Sequence, residues 1–193
     1  MTEDEILSEF RSVEALLEGH FLLSSGRHSA YYLQCARLLM NPERAGRIAL
    51  AITQKIPREL RSEVEVVISP AMGGIIIGHE MARAIGVDAL FVERPDGVFG
   101  LRRGFSLAPG TKVLLIEDVV TTGLSSRETI AAIESAGGVV IAAGAVVDRS
   151  AGTAELGVPF FPLIQLNFPT YAPDELPPEL AMSQAVKPGS RKL

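Results

Sequence analysis

Cysteine is almost absent from this sequence, since Cys35 is the only one among 193 residues. A single cysteine excludes an internal disulfide and a cysteine-based zinc site. Long apolar runs are absent too, and none approaches the roughly 20 residues that a membrane-spanning helix needs. The acidic segment over residues 1–10 has the opposite charge to a secretory signal peptide. These absences predict a cytoplasmic protein with no membrane partner.

An excess of positive charge is also lacking. The net charge is −5 at pH 7, and the charges are mixed without long blocks of one sign. Binding to nucleic acid through a broad surface requires a basic face, so we expect no nucleic-acid partner. The sequence contains neither GxxxxGK[ST] nor GxGxxG. A kinase-type phosphate loop and a dinucleotide fingerprint are therefore excluded.

Strand and helix patterns alternate along the chain. Apolar runs predict strands over residues 64–69, 89–93, 113–119 and 139–148. Helical spacing predicts helices over residues 3–18, 42–60, 74–86 and 126–136. Residues 20–40 indicate an irregular strand pair, and the proline-rich tail over 172–193 an irregular or short-helical extension, with a partly mobile end as the alternative. The alternation predicts an α/β protein with a mainly parallel central sheet flanked by helices, in a single domain over residues 1–193.

Residues 113–125, VLLIEDVVTTGLS, combine an apolar strand, two acids and a small-residue loop that leads into a helix. The carboxylates of Glu117 and Asp118 can hold sugar hydroxyls or a magnesium ion. The loop presents N–H groups at a helix N-terminus, which favours an anion, and Gly123 allows close approach of the backbone. The segment therefore predicts a phosphate and a ribose held side by side. An ordinary strand followed by a capped helix is the alternative. It would explain the hydroxyl side chains of the threonines and serine in the TTGLS loop but not the two acids.

A second loop, SPAMGGIIIG at residues 69–78, also follows a strand and opens a helix. Gly73 and Gly74 free the backbone to wrap an anion, and close packing of the helix on the sheet is the alternative explanation. Open α/β sheets bind ligands beyond the carboxyl ends of their strands. We therefore expect both loops to lie at the same edge of the sheet.

Residues 94–107, RPDGVFGLRRGFSL, place three arginines among three glycines between two predicted strands. Such a hairpin is typical of a mobile lid that excludes water when it closes. The guanidinium groups of Arg94, Arg102 and Arg103 suit a pyrophosphate group through bidentate contacts. A solvated hairpin with ordinary surface arginines is the alternative.

The acidic pair with its TTG loop resembles the phosphoribosyl-pyrophosphate (PRPP) loop of type I phosphoribosyltransferases. Residues 19–33, GHFLLSSGRHSAYYL, resemble the base-binding hood of orotate phosphoribosyltransferases, and VVDRS at 146–150 resembles the segment with their base-binding arginine. The resemblance covers roughly residues 10–170 plus KPGSR at 187–191, and it is closest to the bacterial branch that carries ERxDGVxxLRRGF. It implies a type I phosphoribosyltransferase fold with a small N-terminal hood at about 19–40, a C-terminal extension at about 172–193 and a flexible lid loop at about 94–107.

The resemblance also implies a role for each matching residue. The catalytic residues would be Glu117, Asp118, Arg102 and Arg103. The 5′-phosphate of PRPP would be bound by Val119, Val120, Thr121, Thr122, Gly123, Leu124 and Ser125. The pyrophosphate group would be bound by Ala71, Met72, Gly73 and Arg94, and orotate by Ser25, Tyr32, Thr121 and Arg149. Core packing is the alternative role for the tyrosine and a surface salt bridge for Arg149. Magnesium would be held by Glu117 and Asp118 indirectly, through ribose hydroxyls or water.

The activity implied is transfer of the phosphoribosyl group of PRPP to orotate in pyrimidine biosynthesis, by a homodimer with shared active sites. One alternative is a phosphoribosyltransferase that acts on a purine or uracil. The other is a PRPP-binding regulator without turnover, although such proteins typically add a DNA-binding module or a basic face.

The sequence departs from the enterobacterial branch of that family at three places. Ser24 and Gly73 replace lysines of the hood and of the pyrophosphate loop. Val98 and Gly100 stand where the lid of that branch has a Lys-x-His pair, so that lid chemistry is not carried over. A Cys-x-x-Cys that many members of the closer branch carry before KPGSR is replaced by LPPELAMSQAV.

Overall fold

The computed structural model describes residues 1–23 and 25–188. Ser24 and the last three residues of the KPGSR motif lie outside the described residues. The chain divides into two compact units, one formed by residues 1 and 39–166 and the other by residues 2–38 and 167–193.

Strands and helices alternate through most of the described chain. The strands are β1 (Leu16–Leu22), β2 (His28–Leu33), β3 (Val66–Pro70), β4 (Asp88–Glu93), β5 (Gly100–Leu101), β6 (Lys112–Val120), β7 (Val139–Asp148), β8 (Phe160–Gln165) and β9 (Thr170–Tyr171). The helices are α1 (Glu3–Ser12), α2 (Cys35–Leu39), α3 (Pro42–Lys55), α4 (Arg58–Ser62), α5 (Gly74–Ile85), α6 (Leu124–Ser135) and α7 (Pro178–Ala181). In the described part of the chain, none of these helices is long and apolar enough to cross a membrane.

The larger unit is built on a six-stranded sheet with the order β5-β4-β3-β6-β7-β8. All neighbouring pairs are parallel except β4 and the two-residue β5, which are antiparallel. In the central strand, β6, the apolar residues 113–116 are fully buried. A strand that is covered on both faces needs such a continuous apolar run. The mainly parallel α/β fold predicted from the sequence is confirmed.

The direction of the chain across the sheet reverses between β3 and β6. From β3 the chain moves through α5 to the neighbouring β4, whereas from β6 it moves through α6 to β7 on the other side. Because strand–helix–strand connections are right-handed, the two helices cover opposite faces of the sheet. Neighbouring strands whose connections diverge leave a crevice at their carboxyl ends, which is where such sheets bind ligands.

Side chains of β6 alternate between the two faces. Val113 and Leu115 pack in one hydrophobic cluster with Ile130 and Ile133 of α6. On the other face, the side chains of Ile116 of β6 and Ile52 of α3 converge over Gly144: a Cβ added there would lie 2.9 Å from Ile116 Cδ1 and 3.2 Å from Ile52 Cγ2. Odd-numbered residues of β6 therefore face α6, and even-numbered residues face the opposite helical layer.

The smaller unit is a three-stranded antiparallel sheet with the order β1-β2-β9. The ring of Tyr31 stacks on Phe168 at a centroid distance of 4.6 Å. The end of the described chain joins this sheet, because Val186 donates its N–H to the His20 carbonyl at 2.8 Å and accepts from the Leu22 N–H at 2.9 Å. The tail is therefore irregular with one short helix, as predicted, and its described end is hydrogen-bonded to β1.

Two helix boundaries predicted from the sequence are wrong. The first helix ends at Ser12 rather than residue 18, because Glu14 takes a left-handed conformation with φ of 52° and the chain turns into β1. The helix that begins at Pro42 ends at Lys55 rather than residue 60. Pro57 lacks an N–H and forces the preceding Ile56 into an extended conformation, with ψ of 125°.

The sequence patterns also missed β8, which contains Pro162. Proline lowers the strand signal because it cannot donate to the ladder. β8 is an edge strand whose only neighbour in the described sheet is β7, and an edge strand tolerates a missing donor.

Candidate active site

Both predicted anion-binding loops lie at the carboxyl edge of the sheet. β3 and β6 are parallel neighbours, with Ile68 opposite Leu115, so the segments that follow them lie side by side. The first loop covers residues 71–73 and leads into α5, and the second covers residues 121–123 and leads into α6. The arrangement expected from the sequence is confirmed for the position of the loops.

The two helices that begin at this edge follow glycines, which have no side chain to act as an N-cap, although the Leu124 N–H of α6 donates to Thr122 Oγ1 at 3.3 Å. Neither α5 nor α6 has a side-chain hydrogen bond at its N-cap or an acidic residue in its first turn. By contrast, α1 is capped by Thr2 and α3 by Asn41, whose Oδ1 accepts from the Arg44 N–H at 2.9 Å. The first N–H groups of a helix need partners, and the helix dipole favours a negative one. Two helix N-termini at one edge, each with a glycine at the N-cap, are therefore suited to two anionic groups.

The loop after β6 is held in shape by its glycine and by an arginine of α6. Gly123 has φ of 72°, and a Cβ there would lie 2.7 Å from Leu156 Cδ2. Arg127 donates from Nη1 to the carbonyl oxygens of Thr122 and Glu155, each at 3.1 Å. Arg127 therefore ties the loop to the segment that follows β7.

The two acids that end the apolar part of β6 lie on opposite faces of the sheet. Glu117 faces α6, is 5% exposed, and accepts a hydrogen bond on Oε1 from Ser126 Oγ at 3.1 Å. Asp118 faces the loop before α5, where a Cβ added at Gly73 would lie 2.7 Å from Asp118 Cγ. Glu117 therefore lies next to the loop that leads into α6, and Asp118 next to the loop that leads into α5.

Both carboxyl groups are held in a setting that disfavours their charge. Burial raises the pKa of Glu117 to about 8, and the neighbouring Asp118 adds to that effect. The hydroxyls of Ser126 and Ser125 and the charge of Arg94 lower the pKa of Glu117 in part. Burial also raises the pKa of Asp118, against hydrogen bonds from backbone N–H groups that lower it. A cation or a set of hydroxyl donors at this pair would be stabilised by the two carboxylates.

The glycines of the loop after β3 have different roles. At Gly74 a Cβ would lie 3.1 Å from Ser69 Cβ and 3.1 Å from the Ile116 carbonyl oxygen, so this residue permits close packing of α5 on the sheet. At Gly73 the added atom would meet the Asp118 carboxylate. Close packing therefore accounts for Gly74, whereas the lack of a side chain at Gly73 leaves room for the Asp118 carboxylate.

In the same loop, Ala71 is half-buried and Met72 is 83% exposed, and the peptide bond between them is cis.

The arginines of the predicted lid have different partners. Arg94 lies over the Phe99 ring at 4.0 Å from its centroid and forms an ion pair with Glu128 of α6. Arg103 donates from Nε and Nη2 to the two carboxylate oxygens of Glu93, at 3.0 and 2.8 Å.

Arg102 is exposed, and no ion pair is found for it among the described residues. Of the two adjacent arginines of the lid, it is the one whose guanidinium is left for an anion.

Arg149 follows β7 directly. Its N–H donates to the Val120 carbonyl at 2.7 Å, which places it beside the end of β6. The preceding Asp148 is 1% exposed and accepts from the Ser150 N–H at 2.7 Å and from Gln165 Nε2 at 3.2 Å. These bonds fix the turn after β7 and the direction in which Arg149 leaves the strand.

Two predicted base-binding residues lie in the smaller unit. Ser25 is exposed in the turn between β1 and β2, and its hydroxyl accepts from the Arg27 N–H at 3.4 Å. Tyr32 is half-buried, with its ring 5.7 Å from the ring of Phe21.

Sequence reasoning missed Arg127 and Glu128 of α6, and it suggested Ser126 as a hydroxyl donor to the bound anion, whereas its hydroxyl donates to Glu117. The buried face of this helix consists of Ser126, Thr129, Ile130 and Ile133, a spacing typical of a core-facing helical stripe. A serine within such a stripe is a buried polar residue that needs a partner. The periodicity could therefore have indicated that Ser126 is buried, but not that its partner is Glu117.

A surface cavity of about 510 Å³ lies away from the two loops. It is lined by the C-terminal turns of α3 and α5 and by α4, including Thr53, Ile85 and Arg61. Arg61 donates to the Thr53 carbonyl at 2.7 Å and so satisfies one of the last carbonyls of α3. This cavity is therefore separate from the site at the carboxyl edge.

Comparison with known proteins gives matches over nearly the whole chain. Residues 36–157 match the family model for the phosphoribosyl transferase domain. The orotate phosphoribosyltransferase of Novosphingobium aromaticivorans is 75% identical over 99% of this chain and 98% of its own length. That of Rhizorhabdus wittichii is 69% identical over 99% of this chain and 97% of its own. The crystal structure of orotate phosphoribosyltransferase from Aeropyrum pernix matches with a TM-score of 0.68 and 27% identity, over 83% of this chain and 93% of that one.

Proposed function

Since this chain belongs to the orotate phosphoribosyltransferase family, we propose that it transfers the phosphoribosyl group of PRPP to orotate. The products are orotidine 5′-monophosphate and pyrophosphate, and the reaction is a step of pyrimidine biosynthesis. A nitrogen of orotate attacks the anomeric carbon as pyrophosphate leaves, and the transition state has oxocarbenium character like that of glycoside cleavage. The tasks of the protein are positioning, charge stabilisation and exclusion of water.

The observation that carries this proposal is the pair of helix N-termini with glycine N-caps, beside an acidic pair at the same edge of the sheet. PRPP has a phosphate at one end of its ribose and a pyrophosphate at the other. In our proposal the N-terminus of α6, with residues 119–125, binds the 5′-phosphate, and the loop over residues 71–73 binds the pyrophosphate. Two anion sites beside two carboxylates support a substrate with two anionic ends and hydroxyls between them.

Glu117 and Asp118 hold the ribose hydroxyls in this proposal. Their positions on opposite faces support a division of work, with Asp118 next to the pyrophosphate loop and Glu117 next to the phosphate loop. Hydroxyl donors from ribose would favour the charged form of the two carboxylates, which burial disfavours at both residues.

Magnesium fits this pair of residues as a substrate-bound ion. Carboxylate oxygens are the ligands it prefers, and it usually keeps several waters and binds substrate phosphates. The described residues contain no cluster of three or more His, Cys, Asp or Glu side chains that could hold a metal ion alone. In our proposal Glu117 and Asp118 would hold magnesium indirectly, through ribose hydroxyls or water, and an ion bound there would supply positive charge to the pyrophosphate group.

We assign Arg149 and Thr121 to orotate. Arg149 lies at the carboxyl edge because its N–H is bonded to Val120, and a guanidinium can bind a planar carboxylate-bearing ring through two parallel hydrogen bonds. The roles of Ser25 and Tyr32 in binding the base stay predictions from the family resemblance. In the same way, Arg94 and the lid arginines are proposed for the pyrophosphate, and a cytoplasmic homodimer with shared sites remains a prediction.

The assignment of Arg149 gives a specific kinetic expectation. Arg149→Lys keeps the charge but loses the planar donor fork, so the KM for orotate should rise by about tenfold or more while the KM for PRPP changes little. Steady-state kinetics with each substrate varied in turn measure both constants. Equal changes in the two would instead indicate a structural role for Arg149.

The proposed function is tested by incubating the protein with PRPP, magnesium and a panel of bases. Consumption of orotate, with uracil and adenine left unchanged, is the expected result. Turnover of a purine or of uracil instead would identify another phosphoribosyltransferase. Tight binding of PRPP without turnover of any base would identify a regulator.

A further inference from the structure

We propose that Ser126 is a positioning residue for Glu117 and thereby for the ribose of PRPP. This inference rests on the proposed function, because it concerns the carboxylate that we assign to the ribose hydroxyls. The serine is the third residue of α6, two positions after its first residue, Leu124. Here the hydroxyl points into the protein and donates to Glu117 Oε1 at 3.1 Å.

Burial makes this hydrogen bond consequential. Ser126 is 1% exposed and Glu117 is 5% exposed, so water does not compete freely for either group. A hydrogen bond to a charged group in such surroundings is stronger than one at the surface. Losing the donor leaves a buried carboxylate oxygen without that partner, which is costly and allows the side chain to turn.

The hydrogen bond also restricts the orientation of the Glu117 side chain. Glu117 is fixed at its backbone by β6, which has paired strands on both sides, but its side chain has rotatable bonds beyond Cβ. Ser126 holds Oε1 of Glu117 toward α6 at 3.1 Å. The Ser125 hydroxyl also bonds this carboxylate, and Ser126 is the one of the two serines that we do not assign to the 5′-phosphate. Ser126 therefore selects one rotamer of Glu117 without itself contacting the substrate.

The test is a double-mutant cycle of Ser126→Ala and Glu117→Gln. Ser126→Ala should lower kcat/KM for PRPP by about ten- to a hundredfold, while the KM for orotate changes by less than about twofold. In the Glu117→Gln background, Ser126→Ala should lower kcat/KM for PRPP by less than about twofold further. The effects of two residues that act through each other are not additive. Ser126→Thr, which keeps the hydroxyl, should recover most of the activity.

Ser135→Ala is the matched control. Ser135 lies on the same helix, is exposed, and donates to the Ala131 carbonyl at 2.7 Å. This variant should match the wild type. Thermal unfolding of every variant separates lost positioning from lost folding, and Ser126→Cys, similar in volume but a weak donor, replaces Ser126→Ala if that variant does not fold.

Several outcomes would overturn the proposal. One is a loss of kcat/KM for PRPP on Ser126→Ala that is as large in the Glu117→Gln background as in the wild type. Another is an equal rise of the KM for PRPP and the KM for orotate. If the wild type binds PRPP but does not convert orotate, the proposed function fails. The same cycle, measured as the Kd for PRPP with magnesium by calorimetry, then still decides the role of Ser126. A wild type that does not bind PRPP would overturn both proposals.

Discussion

At the residue scale, the acidic pair shows how two adjacent residues acquire different surroundings. Side chains of a strand alternate between the faces of a sheet, so Glu117 meets a helix and its serine, whereas Asp118 meets a loop and its glycine. We therefore expect single substitutions of the two acids to differ in effect, although both lie at the end of one apolar run.

The raised pKa of Glu117 predicts a pH-dependent stability. Its value of about 8 in the folded state lies above the ordinary value of 4.5, so the folded protein binds this proton more tightly than the unfolded chain. The corresponding stability is fully present below the ordinary value and is lost as pH rises through about 8. Glu117→Gln stays neutral, so its stability relative to the wild type should rise between about pH 5 and pH 9, by at most about 1.4 kcal/mol for each pH unit.

Urea unfolding at about pH 5 and about pH 9, without magnesium or PRPP, measures the stability of Glu117→Gln relative to the wild type. Glu134→Gln, which replaces an exposed glutamate on α6, is the control for the effect of the substitution itself. A stability difference between Glu117→Gln and the wild type that does not vary with pH would contradict the prediction.

At the element scale, the loop before α5 depends on the absence of a side chain at Gly73. Its φ of −60° suits any residue, so alanine adds no backbone strain there and brings only its Cβ into contact with Asp118. Gly73→Ala should therefore displace the Asp118 carboxylate and lower kcat/KM for PRPP by about tenfold or more, with a melting temperature close to the wild type.

Gly100→Ala controls for the general effect of replacing glycine on stability. Its φ is not in the left-handed region, and a Cβ there would meet no atom within 4 Å. The prediction for Gly73→Ala is checked by steady-state kinetics and thermal unfolding of both variants. Unchanged kinetics of Gly73→Ala would mean that the loop can move away from Asp118 without cost.

The lid supports different expectations for its two adjacent arginines. Arg103 is held by Glu93 within the hairpin, so Arg103→Ala should mainly loosen the lid. Arg102 is exposed, so Arg102→Ala should remove charge from the closing lid and lower kcat by about tenfold or more. Kinetics, together with limited proteolysis of residues 94–107, separate the two effects. Equal kinetic losses with equal protease sensitivity would contradict this division.

The elements best predicted from the sequence are those whose signal is local. β6 and its loop follow from one apolar run, two acids and a glycine, and β7 was predicted with the observed bounds, Val139–Asp148. The helix end before Pro57 was predicted wrongly, although proline signals such an end without tertiary information. By contrast, the bond between Ser126 and Glu117 and the ion pair of Arg94 with Glu128 depend on how a helix packs on the sheet. Local patterns do not specify such partners.

At the scale of the whole molecule, the predicted homodimer can be tested by mixing inactive variants. If the lid of one subunit serves the site of its partner, Asp118→Asn and the double variant Arg102→Ala, Arg103→Ala should complement each other. Half of the dimers are then mixed, and one of the two sites in each is intact, so activity should recover to about a quarter of the wild-type level. Orotate turnover after subunit exchange gives the result. No recovery after confirmed exchange would mean that each lid serves its own subunit.

The strand order also predicts different rates of amide hydrogen exchange for the centre and the edge of the sheet, which deuterium uptake would measure. β6 is paired on both sides and its apolar residues 113–116 are fully buried, so its amide hydrogens should exchange only when the larger unit unfolds as a whole. β5 is a two-residue edge strand within the predicted lid, and its amides should exchange through local opening. Two strands, β3 and β4, lie between them. The backbone that carries the two carboxylates is thus in the slowest-exchanging part of the sheet, and local opening of β5 should leave its hydrogen bonds intact.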